Sequence, residues 1–272
     1  MIRARGHAPR PTRGSAALWN EERIVPPPLE RLPGSRVLVL APHMDDETLG
    51  CGGSLYRHAL AGDAVTVVYM TDGRKGDPAL NARELGSAER ERLEDDLAAT
   101  RREEARRSAT VLGVRDLRFL ENRDQELRVS PRTRRQVREL LEALRPDLVC
   151  LPFPTDHHPD HQATNRIFLS ALSAARGIEP PLCAGYEVWA PLEPNCLVDI
   201  TAVAEIKQRA LAEFASQMAV IDYGRCIMGL HAYRSITHLH GRGFAEAFVL
   251  LPAAAYRREV TRRLRGPRGR SR

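Results

Sequence analysis

Short apolar runs alternate with longer amphipathic stretches between residues 36 and 251. Arg36-Val-Leu-Val-Leu-Ala41 opens the pattern, a β-branched and aliphatic run expected of a strand buried on both faces. A helix is expected over 46–61, stopped by Gly62, and Val65-Thr-Val-Val-Tyr-Met70 reads as a second strand. The charged stretch 87–112 places Leu93, Leu97, Ala105 and Leu112 on one helical face, with Gly113 where a C-cap belongs. Leu117-Arg-Phe-Leu120 follows as a third strand. A helix over 131–145 is ended by Pro146, and Asp147-Leu-Val-Cys-Leu151 is a fourth strand. Beyond it the pattern predicts a helix at 160–176, short strands near 186–189 and 197–200, a helix at 202–218 and a last strand near 246–251. The segment 219–245, rich in Gly, His and Tyr, has no clear period and is expected to form a functional loop.

Strands alternating with helices imply βαβ units. The expected fold is therefore α/β: a Rossmann-like, mostly parallel sheet with helices on both faces, in a single domain over 36–252. The flanks differ from it. Residues 1–35 are basic and Pro-rich (Pro26-Pro27-Pro28) and read as an extended arm, while 253–272 reads as an Arg-rich tail. The formal charge of +6 comes from these ends: +3 from 1–35 and +7 from 257–272, leaving −4 between them. No aromatic residues interleave with the terminal arginines, so nucleic acid is not the expected partner. No apolar run reaches the roughly 18 to 20 residues that cross a bilayer, and the N-terminus lacks a secretory apolar region. A cytoplasmic protein is expected, with a homo-oligomer left open. Cys51, Cys150, Cys183, Cys196 and Cys226 show no CxxC spacing and suggest neither disulfides nor a cysteine zinc site.

Chemistry in a parallel sheet belongs at the carboxyl ends of its strands. Two polar clusters occupy such positions: Pro42-His43-Met44-Asp45-Asp46-Glu47 after the first strand, and Asp156-His157-His158-Pro159-Asp160-His161 after the fourth. His43 and Asp46 share a three-residue spacing with His158 and His161, which puts each pair on one side of a helical turn. Two imidazoles and a carboxylate suit zinc or ferrous iron, which lower the pKa of bound water to near 7. A spare carboxylate such as Asp45 could then accept a proton, and a spare histidine could donate one. Helix capping alone would explain Asp45-Asp46-Glu47, but not three histidines in five residues at another strand end. Gly50-Cys51-Gly52-Gly53 hints at dinucleotide binding, yet Leu55 stands where GxGxxG needs glycine, and close helix–strand packing explains the glycines equally well. Lone histidines such as His7 and His58 read as surface or core residues.

These motifs resemble those of the LmbE-like, or PIG-L, N-acetylglucosaminyl deacetylases. The first motif of that family, PHPDDE or AHPDDE, corresponds to Pro42–Glu47, and HPDH is intact as His158-Pro159-Asp160-His161. Thr71-Asp72-Gly73, Arg101 and Glu104 ahead of Leu112-Gly113, Lys207 before Ser216-Gln217, and Glu246-Ala247-Phe248 are weaker correspondences, so the likeness runs from about Arg36 to Leu251. It implies that His43, Asp46 and His161 hold a divalent metal, usually Zn2+, with Fe2+ as the alternative. It makes Asp45 the general base and His158 the oxyanion and leaving-group partner, with Asp160 orienting His158. Glu47, Arg101 and Asp124 match positions close to the sugar or its aglycone. Met44 departs from the usual proline, which rigidifies that turn.

The expected activity is removal of the acetyl group from an N-acetylglucosamine-type glycoconjugate by metal-activated water. The expected partner is a small N-acetylated sugar. Two alternatives stay open: a metal-dependent amidase of another N-acyl or thiol conjugate, and a non-catalytic nucleotide- or partner-binding module. Tyr223, His231, Tyr233, Arg234, His238, His240 and Arg242, in the segment 219–245, could close over a sugar.

Overall fold

Alternate residues of strand β1 (Arg36–Ala41) enter two different cores. Leu38 and Leu40 pack on one face of the sheet; Val37, Val39 and Ala41 pack on the other. That double burial is why the strand is a continuous apolar run without alternation. In the computed structural model, which describes residues 26–81 and 84–264, β1 lies inside a seven-stranded sheet, next to the central strand. The other strands are β2 (Ala64–Thr71), β3 (Asp116–Asn122), β4 (Leu148–Pro152), β5 (Leu182–Tyr186), β6 (Cys196–Asp199) and β7 (Ala245–Pro252). Their spatial order is β3-β2-β1-β4-β5-β7-β6, parallel except that β7 runs against both neighbours. The order reverses between β1 and β4, and the crevice there receives both polar clusters.

Helices α1 (Asp46–Leu60), α2 (Ser87–Val111) and α5 (Ala204–Ala212) cover the Val37/Val39 face. The opposite face is covered by α3 (Pro131–Leu144), α4 (Pro159–Ala174) and α9 (Ala253–Leu264). Sequence signals explain the helix starts. Ser130 at the N-cap and Thr133 at N3 form a reciprocal capping box around Pro131, and Pro159 opens α4 behind His158 as N-cap.

Several expectations are corrected. The strand expected near 186–189 is β5 at Leu182–Tyr186. The chain then bends, because Asp156 accepts the Trp189 N–H (2.9 Å) and Glu187 accepts that of Leu192 (2.8 Å). The helix expected over 202–218 is interrupted: a 3-10 turn (Thr201–Val203) precedes α5, and Phe214 leaves helical geometry with its ring fully buried before α6 (Ala215–Met218). The segment 219–245 is largely helical, with α7 (Tyr223–Arg234) and α8 (Ile236–Leu239). Asp222 caps α7 by accepting the Arg225 N–H at 3.0 Å, a start signal that the irregular Gly, His and Tyr content obscures. At the ends, Leu29 bridges to Val198 and Leu32 is buried, so residues 26–35 lie against the domain. Residues 253–264, read from sequence as tail, form α9, tied down by a bond from the Tyr256 hydroxyl to Asn165 (2.8 Å). The rest of the expected arm, 1–25 with His7, and of the tail, 265–272, lie outside the described residues. Among the described residues no helix is long and apolar enough to cross a membrane.

Candidate active site and metal centre

The carboxyl end of β1 runs straight into the first cluster, and that of β4 into the second, so residues more than a hundred positions apart meet at one point. Asp46 Oδ2 lies 3.2 Å from His43 Nδ1 and 3.3 Å from His161 Nε2, and it also accepts the backbone N–H of His43 (2.9 Å). The sequence-predicted ligand trio is thus brought together. His158 joins it: its ring centroid is 4.7 Å from that of His43 and 4.8 Å from that of His161, and donor atoms of the three histidines lie within 4.8 Å of one another. His161 is 0% exposed, yet neither ring nitrogen has an aligned hydrogen bond; each only stands near a carboxylate, Asp156 at 3.0 Å and Asp46 at 3.3 Å. Buried, unpartnered imidazole nitrogens beside a carboxylate fit a soft-to-borderline divalent cation.

Carboxylates outnumber compensating cations here. Asp124 Oδ1 (3.1 Å) and Asp160 Oδ2 (3.3 Å) both face His43 Nε2. Burial favours a neutral His43 ring, but Asp124, Asp160 and Asp46 together raise its pKa well above the ordinary value. His161, disfavoured as a cation by burial, is nonetheless raised to about 9 by Asp46 and Asp156. The acidic oxygens therefore retain protons on imidazoles where a dication would displace them. His158 behaves oppositely: burial, then the neighbouring His43 and His161, lower its pKa. Its Nδ1 accepts the backbone N–H of Asp160 (3.2 Å), so the proton of the neutral ring resides on Nε2.

Asp45 has φ 144° and ψ −28°, a conformation L-residues avoid at about 1–3 kcal/mol. Arg101 holds it there: the guanidinium stands 3.3 Å from Asp45 Oδ2 and donates to the carbonyls of Met44 (2.8 Å) and Gly73 (2.9 Å). With Met44 in place of a rigidifying proline, this clamp fixes the turn, while the Met44 side chain packs into the core. Burial raises the Asp45 pKa to about 7; Arg101 opposes the shift and Asp46 adds to it.

Three sequence expectations change. Glu47 does not line the cleft: its carboxylate accepts from Thr48 (2.8 Å), Tyr69 (3.0 Å) and the Asp45 N–H (3.3 Å), and burial raises its pKa to about 7. The Asp160 carboxylate turns to His43 and to the backbone N–H groups of Gln125 and Leu127, not to the His158 ring. Asp124 and Arg101 do line the cleft, yet their main partners are protein groups, His43 and the 44–45 turn.

The glycine-rich stretch is packing, not a nucleotide cradle. A Cβ on Gly50 would fall 2.1 Å from the Tyr186 ring, and one on Gly53 would fall 2.7 Å from Ile200. Helix α1 breaks at Cys51 (φ −143°), and a buried ion pair fills the break. Glu246 accepts from the N–H groups of Gly53 and Ser54 (both 2.8 Å), and Lys207 Nζ donates to Leu49 O (2.7 Å), Glu246 (2.6 Å) and His231 Nε2 (2.6 Å).

Comparison with known proteins bears on this architecture directly. Residues 38–172 match the PIG-L family, described as GlcNAc-PI de-N-acetylase. Over 196 residues the chain is 30% identical to the diacetylchitobiose deacetylase of Thermococcus kodakarensis, covering 67% of this chain and 70% of that protein. The chain belongs to the PIG-L family. The N,N'-diacetylchitobiose deacetylase of Pyrococcus horikoshii shares the fold at a TM-score of 0.68 and 26% identity, over 88% of each chain. A relative named for different chemistry, the 4-oxalmesaconate hydratase of Pseudomonas putida, is 26% identical over 205 residues, 70% of this chain and 77% of that protein.

In this PIG-L chain His43, Asp45, Asp46, Asp124 and His158 line a cleft of about 190 Å3 that is open to solvent. Sequence reasoning missed much of its wall: Lys75, Gln125, Trp189 and Gln217 all line it, as do Val220 and Ile221. Tyr223 also lines it, but of the other residues suggested to close over a sugar, His231 is buried against Lys207 and Arg234 is bound to Glu187. Asp156 was visible in the second motif but not singled out. One of its oxygens accepts the His158 N–H (3.0 Å), and the other joins His161 to the backbone of Trp189.

Proposed function

We propose that this chain is a metal-dependent N-deacetylase that hydrolyses the acetamide of an N-acetylglucosamine-type glycoconjugate. The observation carrying the reading is Asp46 Oδ2 set between His43 Nδ1 and His161 Nε2 at 3.2 and 3.3 Å, with unpartnered nitrogens on His161. His43, Asp46 and His161 would hold the ion. A bound zinc or ferrous ion supplies Lewis acidity toward the acetyl carbonyl and the attacking water.

The protein's own groups supply the rest. Asp45, raised by burial to about 7, takes a proton from water as it adds to the carbonyl carbon. His158, with its proton on Nε2, donates to the carbonyl oxygen as charge develops there. As the C–N bond breaks, the proton that Asp45 took from water passes to the nitrogen, giving a free amine and acetate, while His158 keeps its Nε2 proton and only donates a hydrogen bond. Arg101 keeps Asp45 on station, Asp156 orients His161, and Asp124 and Asp160 orient His43.

The substrate class is supported by the family description and by the two deacetylases named above. The test is acetate release by metal-loaded protein from N-acetylglucosamine and its glycosides, with bound metal measured on the same sample. Stoichiometric metal and acetate support the reading. Metal-loaded protein that releases no acetate but hydrates an unsaturated oxo-tricarboxylate overturns it.

A further inference from the structure

The chain leaving β5 has no regular structure from 187 to 192, yet two buried carboxylates hold its backbone. Glu187 accepts the Leu192 N–H (2.8 Å) and pairs with Arg234, which also donates to Leu192 O (2.7 Å). Asp156 Oδ2 accepts the Trp189 N–H (2.9 Å). Between these anchors Trp189 lines the cleft and is 54% exposed. The edge of Tyr223 meets its ring at 85° with centroids 5.8 Å apart.

Every polar atom of Asp156 is committed. Its N–H donates to Phe153 O (3.0 Å), its carbonyl accepts from Gln162 Nε2 (3.1 Å), and Oδ1 accepts the His158 N–H (3.0 Å). Oδ2 faces two groups at once: the Trp189 N–H and, at 3.0 Å, His161 Nδ1. The first contact is an aligned hydrogen bond and the second is not. An imidazole that gives Nε2 to a metal carries its proton on Nδ1, and a buried N–H needs an acceptor. Asp156 Oδ2 is the acceptor in place, so loading the site turns one hydrogen bond on that oxygen into two.

We propose that Asp156 is a positioning residue that couples occupation of the metal site to the cleft wall at Trp189. This rests on the metal-centred reading above and goes beyond it, because the ion then sets the wall of the cleft as well as its floor. The route is short and contiguous: His161 Nδ1, Asp156 Oδ2, the Trp189 N–H. Asparagine does not replace this carboxylate. It has one acceptor oxygen for two occupied sides, and its NH2 group would face a backbone N–H on one of them.

The experiment titrates metal-free protein with Zn2+ and follows bound metal and tryptophan emission together. Trp19 and Trp189 are the two tryptophans, so a Trp19→Phe background reports on Trp189 alone. In that background the emission should change saturably, in step with bound zinc. Asp156→Asn in the same background should bind zinc about 10- to 100-fold more weakly, the usual cost of losing an outer partner of a ligand histidine. Its emission should stay constant as the site fills. Zinc that binds without an emission change overturns the coupling, and this arm needs no substitution at Asp156. An equal emission change in Asp156→Asn overturns it too, and unaltered zinc affinity in that variant overturns the positioning role. Acetate release from N-acetylglucosamine glycosides, measured on the same loaded protein, keeps the underlying reading apart. An emission change in step with zinc but no acetate removes the deacetylase reading and leaves the coupling standing. Protein that takes up no zinc overturns both.

Discussion

Two buried clusters in this chain are built from the same kinds of residue and do opposite things. Around Lys207, Glu246 and His231, all three fully buried, the cation spends its donors on Leu49 O, Glu246 and His231, and the carboxylate accepts from Lys207, Gly53 and Ser54. Around Asp46 the carboxylates and His161 are also buried, but acids crowd one another, and both ring nitrogens of His161 lack an aligned hydrogen bond where His231 lacks one only at Nδ1. The difference is stoichiometric. A cluster that contains its own cation closes and becomes structural, splinting the break in α1; a cluster short of one fits an added ion. Residue type alone does not distinguish a ligand site from a buried ion pair, whereas the balance of donors, acceptors and charge does.

The largest effect should come from removing an imidazole of the open cluster. His43→Ala and His161→Ala should bind less than one-tenth of the wild-type metal and lose roughly a thousandfold or more in acetate release, as expected where the ion supplies several kcal/mol of stabilisation. Chelation of wild type should reproduce the loss, and re-addition of metal should reverse it. Retained metal in either variant would break the contrast between the clusters. In the closed cluster, Glu246→Ala should instead lower unfolding free energy by about 3–5 kcal/mol, because it strands Lys207 and two helix N–H groups. Denaturant unfolding measures this, and the surviving folded protein should keep its metal.

Groups beside the ion come next. Asp45→Asn should keep wild-type metal content while kcat falls by roughly 10²–10⁴, since it removes a base and not a ligand. His158→Ala should cost about a hundredfold in kcat with metal near normal. Loss of metal in His158→Ala would move that residue from catalyst to ligand, a role its proximity to His43 and His161 leaves room for.

How much of this was legible in the sequence follows from the range of the forces involved. The strands β1 to β4 and the ends of α2 are local signals, apolar runs and Gly or Pro stops, and they fall within a residue or two of expectation. The two motifs meet because the switch point of a parallel sheet forces it. What stayed hidden was decided by distant partners. Phe214 breaks a helix to reach the core, and Glu47 looks like a cleft residue until Tyr69 and Thr48 claim it. Asp160 serves His43 instead of the histidine beside it in sequence. Trp189 carried a faint signal, a rare tryptophan just after a strand, but its exposure and its link to Asp156 exist only in three dimensions.

The smallest predicted effect separates the clusters by pH. Burial first, and the Lys207 charge second, hold the His231 pKa well below its ordinary value, so the folded state keeps the ring neutral. In the unfolded chain it titrates near 6.5. Below about pH 6.5 the unfolded state takes up a proton that the folded state refuses, so stability is complete above that pH and declines as the medium becomes more acid. The limiting slope is about 1.4 kcal/mol per pH unit for one group. The measurement belongs on metal-loaded protein, where the ion keeps the ligand histidines neutral and their titration does not overlay that of His231. His58, also lowered by burial, contributes in the same direction, so the informative quantity is the difference from His231→Asn, whose amide oxygen can still accept from Lys207. Unfolding free energies at pH 7 and pH 5 should differ by less in the variant than in wild type, by up to about 2 kcal/mol. Equal pH dependence would mean that the imidazole is protonated in the fold. The closed cluster would then carry two cations against one carboxylate, and the charge balance that sets it apart from the candidate metal site would fail.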